Sequence, residues 1–533
     1  MKKFLVGMLA VLFVFGLAGC VDMGDETDTT GGEMALPTEL PDEQITITFW
    51  HIYGEAKAAL LASQIEEFET MYPNVTVEAT SQSDYDTLRE KINMGVSVDQ
   101  VPSMAVGYPD HFAGYVIADA AVALDQYIDS DITYEITDSS SSIFEEDVAV
   151  GLDLTDFVES YLDENNQYEG GYYYSVPYSK STEMMAYNAD VMKAHVTDIR
   201  NAGITVSDNG YLSTEVPLTY DELIALRDII VDSSGSDSTT MKTEFLMNYD
   251  SSSNMFINMS RQWNAGYTNS DGDILIDNDT TRSMLNWIDD NFNNNTFSLP
   301  VEWDENYGST NFKYGDVAMT VGSTAGVAYN IPSEADEQDS LEFGIFNVGF
   351  APTPQPVADE GDQFTVTIDG TDETFTGSLS AVQQGPNIGI FKDATPEERL
   401  YSWLLIKHLI SAENTAAWAM QTGYLPARLS GYNSQEYSEF LEVGEEFLNA
   451  DGEPGWELTD PKWNDLHASM ASLVARAQND FYQYDPAFAA SSTSAGSAKV
   501  RVESGYCLEN IYIDRYDSTE EALNRFKNAV IWE

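Results

Sequence analysis

Ile45 to Trp50 alternates apolar and polar positions and is rich in β-branched residues, the period-two pattern of a strand with one buried face. Glu55 to Met71 then places Ala59, Ile65, Phe68 and Met71 at helical spacing, and Tyr72-Pro73 ends that run. Val75-Thr76-Val77 restarts a strand, and Tyr85 to Met94 reads as a second helix. Strand, helix, strand, helix in short succession predicts an α/β lobe with a largely parallel sheet. Further helices are expected at Thr219–Val231, entered through Thr219 as N-cap, and at Thr280–Phe292, behind Asp277-Asn278-Asp279. Pro396–Leu409, Ala412–Met420 and Ser518–Val530 follow. Acidic stretches near Asp129–Asp156 and Glu334–Thr376 read as surface excursions, and Asp369-Gly370 marks a hairpin turn.

The first residues break this pattern. Lys2 and Lys3 precede an apolar run, Phe4 to Leu17, that ends in Leu-Ala-Gly-Cys; so short a run behind a positive start is an export signal. Its end resembles the lipobox of bacterial lipoproteins, which implies that Cys20 is acylated and becomes the first mature residue. Residues 1–20 are therefore expected to be the signal and 21–44, rich in Asp, Glu, Thr and Gly, a flexible tether. The other cysteine, Cys507, leaves no intramolecular structural disulfide once Cys20 is lipidated. No later run of 18 apolar residues appears, so the membrane is expected to be a partner through the lipid alone.

Charge narrows the partners. With 24 Lys+Arg against 89 Asp+Glu the formal net charge is −65, a field that repels nucleic acid and anionic lipid. The acids are scattered like a solvated surface, and their mutual repulsion should be relieved by salt. An exported glycosidase would need two positioned carboxylates, and so many acids offer pairs without identifying one. No H-E-x-x-H, G-x-S-x-G or paired-Cys pattern occurs. Asp271-Gly272-Asp273 with Asp277 and Asp279 lacks EF-hand spacing and reads as a turn followed by a helix cap.

Five stretches carry a family likeness: Ile47-Thr48-Phe49-Trp50-His51, VPYSKSTEMMAYNADVM (Val176–Met192), GDVAMTVGSTAG (Gly315–Gly326), TGYLPAR (Thr422–Arg428) and GSAKVR (Gly496–Arg501). In this order they resemble extracellular solute-binding proteins of the large sugar-type class, the receptor subunits of ABC importers, and above all receptors of the glycerol-3-phosphate type. The resemblance implies an α/β fold of two lobes, joined by crossing strands, with the ligand in the cleft. It implies a first lobe from 45–177 and 351–412, a second from 178–350 and 413–490, and a C-terminal segment 491–533. It also implies a carbohydrate ligand, permease partners, a monomer, no enzymatic activity, no cofactor and no metal.

Sugar faces stack on aromatic rings while their hydroxyls need convergent polar groups, so such a cleft mixes the two. Trp50, at the C-terminal end of the first strand, is either a cleft wall or a core residue under the first helix. By resemblance Tyr85, Ser181, Ser323, Gly385 and Tyr424 face the ligand; the neighbouring Thr182 is read as a backbone cap, and Gly385 has a plain turn before Pro386 as its other reading. Arg501 matches the arginine that the family offers to a ligand phosphate, with a surface salt bridge as the other reading. Tyr108 stands where those receptors carry a glutamate and Tyr220 where they carry a tryptophan. Both departures leave two solutes open, a glycerol-3-phosphate-like one and a neutral mono- or oligosaccharide that fits at least as well.

Overall fold

The computed structural model describes residues 36–98, 100–135, 147–231, 242–269, 273–332, 344–449, 497–513, 515 and 518–530. Cys20, the export signal, the tether up to residue 35 and the Asp271-Gly272 turn lie outside the described residues.

Fourteen strands are described: β1 (Ile45–His51), β2 (Val75–Ser81), β3 (Met104–Gly107), β4 (Thr133–Tyr134), β5 (Val148–Ala149), β6 (Val176–Pro177), β7 (Glu183–Asn188), β8 (Phe245–Tyr249), β9 (Phe297–Ser298), β10 (Val317–Ser323), β11 (Val348–Pro352), β12 (Gln363–Ile368), β13 (Thr371–Thr376) and β14 (Asn387–Ile390). They form two five-stranded sheets, ordered β2-β1-β3-β14-β6 and β11-β7-β10-β8-β9, plus two hairpin-like pairs, β12-β13 and β4-β5. β1, β2 and β3 run parallel, as the alternation of strand and helix predicts, and β14 closes the sheet antiparallel to β3. The turn between β12 and β13 puts Asp369 at φ 51° and Gly370 at φ 76°, the paired left-handed residues that a tight hairpin requires.

Each sheet anchors its own core. Ile45, Ile47 and Phe49 turn inward from β1, and the helix Glu55–Met71 lays Leu61, Ile65 and Phe68 into the same core. Leu400, Trp403 and Leu404 of the helix Pro396–Leu409 complete it. The second core gathers β7, β8 and β10 with Leu223 and Leu226 of the helix Tyr220–Ile230 and Trp287 of the helix Asp279–Asn293. Thr219 caps its helix with a full capping box through Glu222, and Asn278 caps the next by accepting from the Thr281 N–H. The helix Ala412–Thr422, expected with the second lobe, packs instead with the first: Trp418 stands edge-on to Tyr53 at 5.0 Å, and Tyr424 and Ala427 share that core. Its indole fills space beside the first sheet, while Ala416, Ala419 and Met420 of the same helix pack with Tyr437, Phe440 and Val443.

Two described segments cross between the sheets. Residues 177–183 leave β6 for β7, and 384–387 return toward β14; the two meet as an antiparallel bridge at Ser181 and Gln384. The crossing is polar and buried. Lys180 is fully enclosed and paired with Glu164, whose other oxygen accepts from Gln383 Nε2 at 2.8 Å, and Lys180 Nζ also donates to the Gly385 carbonyl at 3.3 Å. Register fixes what faces the crossing. The C-terminal ends of β1, β2 and β3 meet it from the first sheet, and those of β8 and β10 from the second. These are the edges at which open α/β sheets place ligands.

Candidate functional site

The first-lobe edge is a wall of rings. Tyr85 opens the helix Tyr85–Val96 behind Asp84, whose carboxylate accepts from the Thr87 N–H at 2.8 Å. Tyr108 is the N-cap of the helix Pro109–Ile117, with proline in the first turn where its missing N–H costs nothing. The two rings lie 4.4 Å apart, and His111 stands edge-on to Tyr108 at 5.4 Å. Tyr424 joins from the turn after Ala412–Thr422. There Gly423 sits at φ 76°, and a Cβ on it would meet the Thr324 carbonyl oxygen at 2.3 Å, so only glycine lets this turn approach the second lobe. Behind the wall Tyr53 packs on His51 and Trp418.

The wall is uncharged. Burial pushes the phenols of Tyr53 and Tyr85 far up and that of Tyr108 to about 12, while burial lowers His51 and His111 to about 4. The buried hydroxyls of Tyr53 and Tyr85 make no hydrogen bond of normal geometry among the described residues. Trp50, half-buried at the end of β1, packs against the first core and stands at the same edge.

The second-lobe edge is acidic. Glu183 begins β7 fully buried, accepting from Tyr249 Oη at 3.0 Å and from Asn254 Nδ2 at 2.9 Å. Burial raises its carboxyl to about 7 despite those bonds. Asp250, one residue past β8, accepts the Gly308 N–H at 2.6 Å and is raised by burial to about 6. Ser323 ends β10 opposite Glu183; its hydroxyl donates to Ser181 Oγ at 3.3 Å and accepts from the Ala325 N–H at 3.2 Å.

Two side chains tie the edges together. Lys57 Nζ, in the first turn of Glu55–Met71, donates to the Ala325 carbonyl at 2.9 Å and lies 5.1 Å from the centroid of the Tyr424 ring; burial lowers it to about 8. Arg501, on the helix Ser497–Tyr512 that packs on the helix Ser252–Gln262 of the second core, reaches across to Asp110 at 3.2 Å. Its guanidinium carbon is 5.1 Å from the centre of the Tyr108 ring.

The fold thus brings Trp50, Tyr85, Tyr108, Ser181, Ser323, Tyr424 and Arg501 to the crossing, and treats Tyr220 and Gly385 differently. Tyr220 is buried in the second core, stacked on Trp287 at 4.7 Å, with its hydroxyl donated to Gln262 Oε1 at 2.6 Å. As the first residue of a capped helix it points into the helix-on-sheet packing. Gly385 lies at the crossing for a backbone reason: at φ 91°, a Cβ would fall 1.9 Å from the Ser179 carbonyl oxygen. Lys57, Asp110, Glu183 and Asp250 were not anticipated. A lysine directly behind the Trp50-His51 strand end, in a chain so poor in lysine, was the one available signal; the three acids were hidden among many. A cavity of about 220 Å³ is lined by Glu503, Tyr506, Cys507, Arg525 and neighbours on the last two helices, and by none of these edge residues.

No curated protein sequence matches the chain. Solved structures of similar fold include the GacH receptor of Streptomyces glaucescens GLA.O, studied unliganded and with acarbose (TM-score 0.61, 14% identity, 91% of this chain and 98% of that one). UgpB from Mycobacterium tuberculosis, in complex with glycerophosphocholine, gives TM-score 0.61 at 18% identity over 91% of this chain and 97% of its own. The sugar-binding protein MalE from Xanthomonas citri gives 0.59 at 17% identity, covering 91% and 96%. These likenesses establish a two-lobed fold with a ligand cleft between the lobes. Residues 63–444, which span the ring wall, both described crossing segments and the acidic edge, match the profile of one family, and the chain belongs to it: the bacterial extracellular solute-binding proteins.

Proposed function

We propose that the chain is the receptor subunit of an ABC importer and captures a neutral mono- or oligosaccharide between its lobes for delivery to the permease subunits. The observation that carries this reading is the pairing of an uncharged wall of rings, Tyr85, Tyr108 and Tyr424, with hydrogen-bonding groups on the facing edge, Glu183, Asp250 and Ser323. Rings take the apolar faces of pyranose sugars, and carboxylates and hydroxyls take their hydroxyl groups. GacH with acarbose and the sugar-binding MalE are relatives in fold that point the same way, as UgpB with glycerophosphocholine points toward a phosphodiester. Binding and release need no catalytic step, and no residue is assigned one. The receptor works as a monomer held by a lipid on Cys20 at the outer face of the cytoplasmic membrane.

Calorimetric titration in molar salt with malto-oligosaccharides and other neutral glycans is expected to find at least one micromolar solute. Binding of glycerophosphodiesters alone would overturn the neutral-sugar reading. Detergent phase partitioning of wild type and Cys20→Ala checks the anchor, with only the variant expected in the aqueous phase; equal partitioning would remove the lipid from the account.

A further inference from the structure

We propose that Asp110 is a specificity-determining residue: by holding Arg501 across the cleft it makes the receptor reject phosphate-bearing solutes and admit uncharged ones. This deepens the reading of the cleft as a solute site and rests on it.

The inference starts from where each partner stands. Asp110 lies in the first turn of the helix Pro109–Ile117, one residue beyond the proline and two beyond Tyr108. Its side chain is 1% exposed, against 21% for Arg501, and the two approach to 3.2 Å. A carboxylate there is favoured by the helix N-terminus behind it and by the guanidinium in front. Burial alone would push the Asp110 carboxyl up, but Arg501, followed by His111 where it is protonated at acid pH and by Arg89 on the neighbouring helix, outweighs it and holds it below the usual carboxylate range. His111, beside it, is neutral near pH 7 and supplies no competing cation. Arg89 is itself paired with Asp86 at 3.0 Å.

Among the described residues the guanidinium has Asp110 in front of it, the Tyr108 ring 5.1 Å away, and Tyr267 and Glu164 close enough to feel its field. A phosphate arriving at Arg501 would have to displace Asp110 and leave that carboxylate buried without its partner. Removing one member of a buried ion pair is far more costly than leaving the pair intact. A sugar hydroxyl makes no such demand, because it can donate to a carboxylate or accept from a guanidinium edge while the pair stays closed. The same arginine that would bind phosphate in an open pocket therefore serves here as a neutral, hydrogen-bonding surface. Of the other cations at this crossing, Lys180 is paired with Glu164, and Lys57 contacts the Ala325 carbonyl and the Tyr424 ring, not a carboxylate.

The test measures inorganic phosphate and sn-glycerol-3-phosphate on the full mature chain by calorimetry in molar sodium chloride. Wild type is expected to show no binding below millimolar concentration. Asp110→Asn, which keeps the shape and removes the charge, is expected to bind sn-glycerol-3-phosphate at least tenfold more tightly. The double variant Asp110→Asn with Arg501→Gln should lose that gain, which separates Arg501 from Lys57 as its source. Asp110→Ser is the second single variant should the asparagine fail to fold, with circular dichroism as the check. Micromolar phosphate binding by wild type would overturn the proposal without any variant, as would an Asp110→Asn protein that folds and gains nothing. Failure of every neutral sugar to bind would count against the carbohydrate reading alone, since the phosphate measurements still judge Asp110.

Discussion

The two edges that meet at the crossing reach a similar burial by opposite chemistry. On the first, rings are packed close, Tyr85 tilted against Tyr108 at 4.4 Å, and burial holds the phenols and imidazoles neutral. On the second, carboxylates are buried, and each is stabilised by fixed donors: Tyr249 and Asn254 for Glu183, the Gly308 N–H for Asp250. The difference teaches that the edges do separate jobs. Rings give area and orientation with little penalty for being dry, whereas a buried acid is retained only where its hydrogen bonds have a use.

The hardest way to break the comparison is to break the crossing that sets the edges opposite one another. Lys180→Met leaves Glu164 buried beside Gln383 without its cation and is expected to destabilise the fold by about 3–5 kcal/mol. The double variant with Glu164→Gln should recover most of that loss, and thermal denaturation of the three proteins checks it.

The rings come next. For whichever sugar binds, Tyr85→Ala and Tyr424→Ala are each expected to weaken affinity by about 2 kcal/mol, roughly 30-fold, as truncation of a central aromatic contact does. Tyr220→Phe is the contrast. It removes the bond to Gln262 in the second core, costs about 1 kcal/mol of stability, and should leave affinity within about twofold. Equal losses from Tyr220→Phe and Tyr424→Ala would erase the distinction between core and wall.

The acidic edge is sharpened by pH. Glu183 titrates near 7 in the folded chain against 4.5 as its ordinary value, so its proton is bound more tightly when folded. Stability from this group is full below about 4.5 and is lost as pH rises through 7, by about 3 kcal/mol in all. Glu183→Gln removes the titration, so it should stabilise the protein relative to wild type at pH 8, with that difference falling below about 1 kcal/mol at pH 5. His51 and His111, held near 4, destabilise at acid pH in both proteins and cancel in the comparison. Melting curves of the pair across this range check the sign; a difference that grows toward acid would contradict it.

What was legible in the sequence follows the same division. The alternation of Ile45–Trp50, the helix stop at Tyr72-Pro73 and the caps at Thr219 and Asn278 are local signals, and the fold honours them. Tyr85 and Tyr424 were named by resemblance to the family and Tyr108 as a departure from its pattern, and the structure sets the three rings at one edge. Arg501 was found but not its partner: Asp110 is one acid among 89, and only the approach of the last helices to the first sheet singles it out. Glu183 and Asp250 were hidden for the same reason. Tyr220, also named from the family's pattern, packs in the second core, because its position along the chain says nothing of which way the first turn of a capped helix points. The return of Ala412–Thr422 to the first core depends on Trp418 meeting Tyr53, a contact between residues far apart in sequence.

A crystal structure of the mature chain, grown with the neutral oligosaccharide selected by titration, tests the account's centre most directly. It predicts a sugar ring lying against Tyr85 and Tyr424, hydroxyls reaching Glu183 or Asp250, and the Arg501–Asp110 pair intact beside them. A sugar bound in the cavity lined by Tyr506, Cys507 and Arg525, or a cleft in which Arg501 has left Asp110 for the solute, would contradict it.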